Sequence, residues 1–199
     1  MDMSKQGIGE MKLVEEPKRV LAMHPRKFAM WLFMASVLML FASWTSAYIV
    51  RQAEGNWMFF ELPVLFYYST ALIVISSVTM QIGYFSAKRD NFGRLKLMVT
   101  ITAILGILFL VAQVLGWSQL VTNSVYLVGN PSGSFVYVIT GFHALHIISA
   151  VIFLLIVLNS VSKQRIYSGN MAQMEMCTTY WHFLGGLWVY LFIFLSINR

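Results

Sequence analysis

The sequence predicts an all-α integral membrane protein with five transmembrane helices, and three observations carry that prediction. The 199 residues are 58% hydrophobic and only 11% charged, against roughly 25% charged in soluble domains. Five charge-free windows, residues 28–50, 62–85, 97–120, 135–158 and 178–197, are each long enough for a bilayer that takes about 20 residues per crossing. All 14 basic residues lie outside those windows. The composition excludes an ordinary water-soluble globule, a disordered chain, a collagen-like repeat and a coiled coil. The single cysteine, Cys177, excludes an intrachain disulfide and any Cys-based zinc or iron–sulfur site.

Residues 1–27 mix four acids with six bases and include Pro17 and Pro25; they are expected to form a cytoplasmic surface arm, with residues 28–199 as one membrane domain. The first window follows this long charged lead and exceeds the apolar core of about 7 to 15 residues in a cleavable signal, so it is expected to be retained. The charge-free stretch from Leu97 to Ser162 is too long for one helix. Thr122-Asn123-Ser124 and the cluster Gly129-Asn130-Pro131-Ser132-Gly133-Ser134 divide it; the cluster reads as a turn-rich loop, leaving the third and fourth spans. The fifth follows Lys163 and Arg165. No internal repeat is evident, and an odd number of spans disfavours a transporter built from two equal halves.

Lys5, Lys12, Lys18, Arg19, Arg26 and Lys27, then Lys88, Arg89, Arg94 and Lys96, then Lys163 and Arg165 fall on one side of the membrane; only Arg51 and Arg199 fall on the other. The positive-inside rule then places the N-terminus in the cytoplasm and the C-terminus outside. The net charge of +6 is an orientation signal and a contact with anionic headgroups, not a nucleic-acid footprint. Trp57, Tyr84, Tyr137 and Tyr167 lie near span ends, where aromatic belts form.

Intramembrane chemistry normally uses ionisable groups, because they are costly in the bilayer. No Asp, Glu, Lys or Arg lies within a span, so a lone proton pump, ion-coupled transporter or voltage sensor would lack its working groups. His143 and His146 in the fourth span and His182 in the fifth remain. Imidazole ligates metals and haem, but no carboxylate or thiol completes a shell. The histidines are more simply read as hydrogen-bonding a neighbouring helix, a backbone carbonyl or a lipid phosphate.

Hydroxyl residues repeat along helix faces: Ser36, Ser43 and Ser46 in the first span, Ser69 with Ser76 and Thr70 with Ser77 in the second. No nucleophile elbow surrounds them, and their expected role is close helix packing. His182, Gly185, Gly186 and Val189 follow i, i+3, i+4, i+7 in the fifth span, a smooth stripe suited to another helix.

Three stretches resemble one family. Thr140-Gly141-Phe142-His143-Ala144-Leu145-His146-Ile147 resembles the Thr-Gly-Phe-His-Gly-x-His-Val segment of subunit III of haem-copper terminal oxidases. The run from Tyr180-Trp181-His182-Phe183 through Trp188 to Phe192 resembles that family's final Tyr-Trp-His-Phe-x-Asp-x-x-Trp-x-x-x-Phe helix, and Trp31 through Tyr48 is similar to its Trp-Leu-Phe-x-x-Ser-Glu-x-x-x-Phe helix. Five spans match the short bacterial form. Two acidic family positions differ: Val37 stands where an intramembrane glutamate is common, and Gly185 where an aspartate is frequent.

The resemblance implies a non-catalytic subunit supporting the oxygen-reducing, proton-pumping subunit I in the bacterial cytoplasmic membrane, alongside subunit II and other respiratory-chain complexes. Haem and copper are then expected in the partner subunits and none in this chain, with structural phospholipid as its bound component. It also implies spans one and two packed apart from spans three to five across a lipid-filled cleft. The polar lipid or interhelical contacts would be His143, His146, Trp181 and His182, with Arg51 meeting headgroups; replacing His143 with Leu would then loosen lipid or subunit association. A quinol-oxidase or nitric-oxide-reductase-associated homologue keeps the same fold. An independent haem-b anchor using the histidines, or a small transporter, are readings from other classes.

Overall fold

The computed structural model describes residues 25–198. Five helices account for most of them: α1 (Pro25–Ala53), α2 (Val64–Lys88), α3 (Phe92–Thr122), α4 (Pro131–Ser162) and α5 (Ala172–Ile197). Each is long and apolar enough to cross a membrane. The chain is therefore an all-helical, five-span protein, and each predicted window lies within a helix apart from the first two residues of the second. The 1–27 arm falls outside the described residues except for its last three, which open α1.

The helix starts follow local chemistry. Asn91 caps α3 by accepting from the Arg94 backbone N–H at 3.2 Å. Asn130 caps α4, its Oδ1 accepting from the Ser132 N–H at 3.0 Å, with Pro131 at the first helical position, where a missing N–H costs nothing. The cluster 129–134, expected to be loop, therefore splits. Gly129, at φ +130°, belongs to the turn, and residues from 131 onward belong to the helix.

Helices α2, α3, α4 and α5 form a ring in which α2 packs on α3, α3 on α4, α4 on α5 and α5 back on α2. Helix α1 docks outside that ring, against α4 and α5, and is not a neighbour of α2. The expected partition of spans one and two from spans three to five is accordingly not the arrangement found. The short link Arg89–Asn91 makes α2 and α3 antiparallel neighbours, whereas the longer link 54–63 lets α1 settle elsewhere.

The interior is a mosaic of large rings and small residues. Trp181, Trp188, Phe66 and Phe109 are fully enclosed. Gly106 of α3 faces Trp181 of α5; a Cβ there would stand 2.6 Å from the indole Cη2 and 3.2 Å from Val151 of α4. Gly116 likewise admits Phe66, whose Cε1 would be 2.5 Å from an added Cβ. Helix α1 contributes Met34, Val37, Phe41, Thr45 and Tyr48 to the core, a helical stripe that excludes its serines. Ser36, Ser43 and Ser46 are exposed, contrary to the packing role expected of them, because the stripe α1 buries is the aromatic one.

Candidate functional site

Within a bilayer, polar side chains must find partners in the protein, and the ring α2–α5 is cross-linked by such pairs. Trp181 Nε1 donates to Ser76 Oγ at 3.1 Å and Trp188 Nε1 to Thr70 Oγ1 at 3.0 Å, both joining α5 to α2. Gln113 Nε2 donates to Ser69 Oγ at 2.9 Å, and Thr79 and Thr102 share a hydroxyl contact at 2.8 Å, both joining α2 to α3. Trp117 Nε1 donates to Thr140 Oγ1 at 3.0 Å between α3 and α4. Tyr180 OH meets Ser149 Oγ at 2.8 Å between α5 and α4. The hydroxyls Ser69, Thr70 and Ser76 of α2 thus act across helices, each also bonding back to its own helix, as Ser76 does to the Ile73 carbonyl at 2.7 Å.

The histidines occupy three different settings. His143 is fully enclosed, among the rings of Phe41 at 6.1 Å, Phe109 at 6.1 Å and Trp188 at 5.1 Å. Neither of its ring nitrogens has a hydrogen-bond partner. His146 is half-buried, its Nδ1 2.7 Å from the Phe142 carbonyl and its ring 5.8 Å from Phe41. His182 is half-buried, its Nε2 3.0 Å from Gln81 Oε1 of α2.

His143 is fully enclosed and Trp181 is 1% exposed, and of the lipid or interhelical contacts expected of them Trp181 makes an interhelical one, to Ser76. The expectation that His143→Leu loosens lipid is replaced by another. An unsatisfied buried polar group costs about 1 to 3 kcal/mol, and Leu removes two unpaired nitrogens from an aromatic enclosure. His143→Leu is expected to leave unfolding in detergent unchanged or raise stability by up to that amount. A marked loss would show that the ring holds a partner.

Arg51 stands at the opposite end of the bundle from the main basic cluster. It pairs with Glu54 at 3.0 Å and borders a cavity of about 800 Å³. Ser43, Ser46, Asn130 and Ser134 line that cavity too, between the end of α1 and the start of α4. At the basic end, Lys27 of α1 forms an ion pair with Glu175 of α5. Among the described residues no group of three or more His, Cys, Asp or Glu could hold a metal ion.

Two residues escaped the sequence reading. Gln113 is 1% exposed and Gln81 is the partner of His182; the signal for both is an amide inside a predicted span, uncharged but still in need of a partner. The two substituted acidic positions have clear settings. Val37 is in the core, and a Cβ on Gly185 would lie 3.2 Å from Ser77 Oγ of α2.

These features define a polytopic helical membrane protein in which, among the described residues, most buried polar side chains bond within the chain's own helices or between them. The model of the family described as cytochrome c oxidase subunit III matches residues 17–198. Cytochrome c oxidase subunit 3 of Corynebacterium diphtheriae is 29% identical over 169 residues, covering 81% of this chain and 82% of that protein. The subunit 3 of Bacillus sp. (strain PS3) is 26% identical over 167 residues, 81% of this chain and 80% of that one. That of Pelomedusa subrufa is 33% identical over 141 residues, 69% of this chain but only 50% of the other.

The chain belongs to the cytochrome c oxidase subunit III family. It is thus a multi-pass membrane subunit of a haem-copper oxidase of the respiratory chain, in a complex with other oxidase subunits.

Proposed function

We propose that this chain is a non-catalytic subunit that packs against the oxygen-reducing, proton-pumping subunit I and sustains its turnover, with haem and copper held by subunits I and II. The observation that carries this reading is the chemistry of the interior. Among the described residues the buried polar side chains are Thr45, Ser69, Ser76, Ser86, Thr102, Gln113, Ser132, Thr140, His143 and Thr178, and most of their hydrogen bonds join helices of this chain or close on the helix's own backbone. Much of the outer surface is large apolar side chain, including Trp31, Leu32, Met39, Phe59 and Val128, suited to lipid and to partner helices.

The distribution of basic residues supports an N-terminus on the cytoplasmic side and a C-terminus on the opposite side, which in the bacterial membrane of this reading is the periplasm. Phospholipid is its expected bound component. The Arg51 cavity would receive a headgroup, with His146 and His182 facing the groups nearest the bilayer. Purification through a tag on this chain is expected to bring down polypeptides carrying haem and copper, and deleting the chain to shorten sustained oxygen consumption without abolishing it. Recovery of the chain free of haem- and copper-bearing partners would overturn the reading, as would stoichiometric iron in the isolated chain.

A further inference from the structure

Because α1 and α2 both pack on α5 yet not on each other, a face of α5 lies open between them. It carries His182, Gly186 and Val189, with the buried Gly185 turned toward Ser77 of α2. Three cavities follow one another along it. At the basic end, a polar pocket of about 340 Å³ is lined by Gln81 and Tyr84 of α2 and by Glu175, Thr178, Thr179 and His182 of α5. Beyond it lie an apolar cavity of about 400 Å³ on the α1 side and one of about 260 Å³ on the α2 side. His182 borders all three, and Gly186 borders both apolar ones. A Cβ on Gly186 would meet nothing within 4 Å, so the glycine deepens the groove without serving contacts inside the chain.

The polar pocket is incompletely satisfied. Thr178 is only 6% exposed, and its Oγ1 has no hydrogen-bond partner. The Gln81 oxygen is taken by His182, which leaves the amide N–H groups to donate into the pocket. The one carboxylate, Glu175, is paired with Lys27, so the pocket offers donors without net charge. The two cations nearest a headgroup are already engaged, Lys27 with Glu175 and Lys88 over the Tyr84 ring at 5.0 Å. An uncharged head with carbonyl acceptors fits, provided it ends in a long apolar tail. From Glu175 to Tyr190 the groove runs about 22 Å along the helix.

We propose that this groove binds an uncharged amphiphile of the isoprenoid quinone class, its ring between α2 and α5 beside Gln81, Thr178 and His182, its tail over Gly185 and Gly186. Thr178 and the Gln81 amide donate to the ring carbonyls. The two helix walls hold the planar ring, and the glycines admit the tail where any larger residue would fill its path.

The test uses the oxidase complex purified through this chain, labelled with a photoreactive ubiquinone analogue and competed with decylubiquinone. Label is expected on α2 and α5 peptides around Gln81 and Thr178, displaced by decylubiquinone and not by phosphatidylglycerol. Gly186→Leu should weaken labelling roughly tenfold, as loss of a tail contact of ordinary size would. Thr178→Val should weaken it severalfold through the lost donor, and Gly141→Leu, on α4, should leave it unchanged. Thermal unfolding of each variant reports on folding, and Thr178→Val keeps the test decisive where Gly186→Leu is unstable. No label on this chain, equal labelling of Thr178→Val, or displacement by phospholipid alone would each overturn the proposal. Label is read on this chain's own peptides, so the result is independent of which polypeptides accompany it.

Discussion

Trp181→Ala is expected to destabilise the bundle by about 3 to 5 kcal/mol, the usual cost of emptying a buried tryptophan site. The indole reaches from α5 across the ring. It donates to Ser76 of α2, lies against Gly106 of α3 and shares that contact with Val151 of α4. One side chain therefore ties α5 to α2 by a hydrogen bond and to α3 by close packing. In a bilayer the loss is mainly of dispersion contacts and of the hydrogen bond, since lipid is as apolar as the core. Trp181→Phe keeps most of the ring and removes the N–H; it should cost about 0.6 kcal/mol for the bond plus a smaller cavity. Unfolding of the purified protein in mixed micelles measures both. A change below about 1 kcal/mol for Trp181→Ala would mean that the ring is not the keystone its contacts describe.

The complementary change fills the space instead of emptying it. Gly106→Leu is expected to cost at least the 1 to 3 kcal/mol typical of overpacking, because even the first added carbon falls 2.6 Å from the Trp181 ring. That neighbour is a rigid aromatic edge held by its own hydrogen bond, so it yields only if α3 moves away from α5. Combining Gly106→Leu with Trp181→Ala should be less damaging than the sum of the two, with a coupling of about 0.5 to 3 kcal/mol. Strict additivity would show that the two positions do not share the space the structure gives them.

Much of this molecule was legible from its residues. The five spans, their approximate limits and the segregation of the basic residues needed only the cost of charge and of unpaired backbone in hydrocarbon. The α2 hydroxyls, seven apart, do face neighbouring helices. The same reasoning failed for Ser36, Ser43 and Ser46, since spacing identifies a face without saying whether anything covers it. His143 and His146 share one side of a helix by spacing, yet one is enclosed by Phe41, Phe109 and Trp188 and the other borders the surface. Gln81 and Gln113 were passed over because an amide carries no charge, although in lipid it needs partners almost as firmly.

Sequence by itself determined that this chain lives in a membrane, how many times it crosses, and, through three short motifs, its family. Those properties depend on local composition and on transfer of each segment from water to lipid, which a segment meets independently of the others. Only the tertiary structure decided which helix touches which: α1 leaves α2 for α4 and α5, and α2 through α5 close into a ring. Helix association in hydrocarbon has no strong nonspecific drive and rests on close steric fit and a few hydrogen bonds. The fit of Trp181 to Gly106 and the open groove at Gly186 arise from residues distant in the chain, and their meeting cannot be read from either alone.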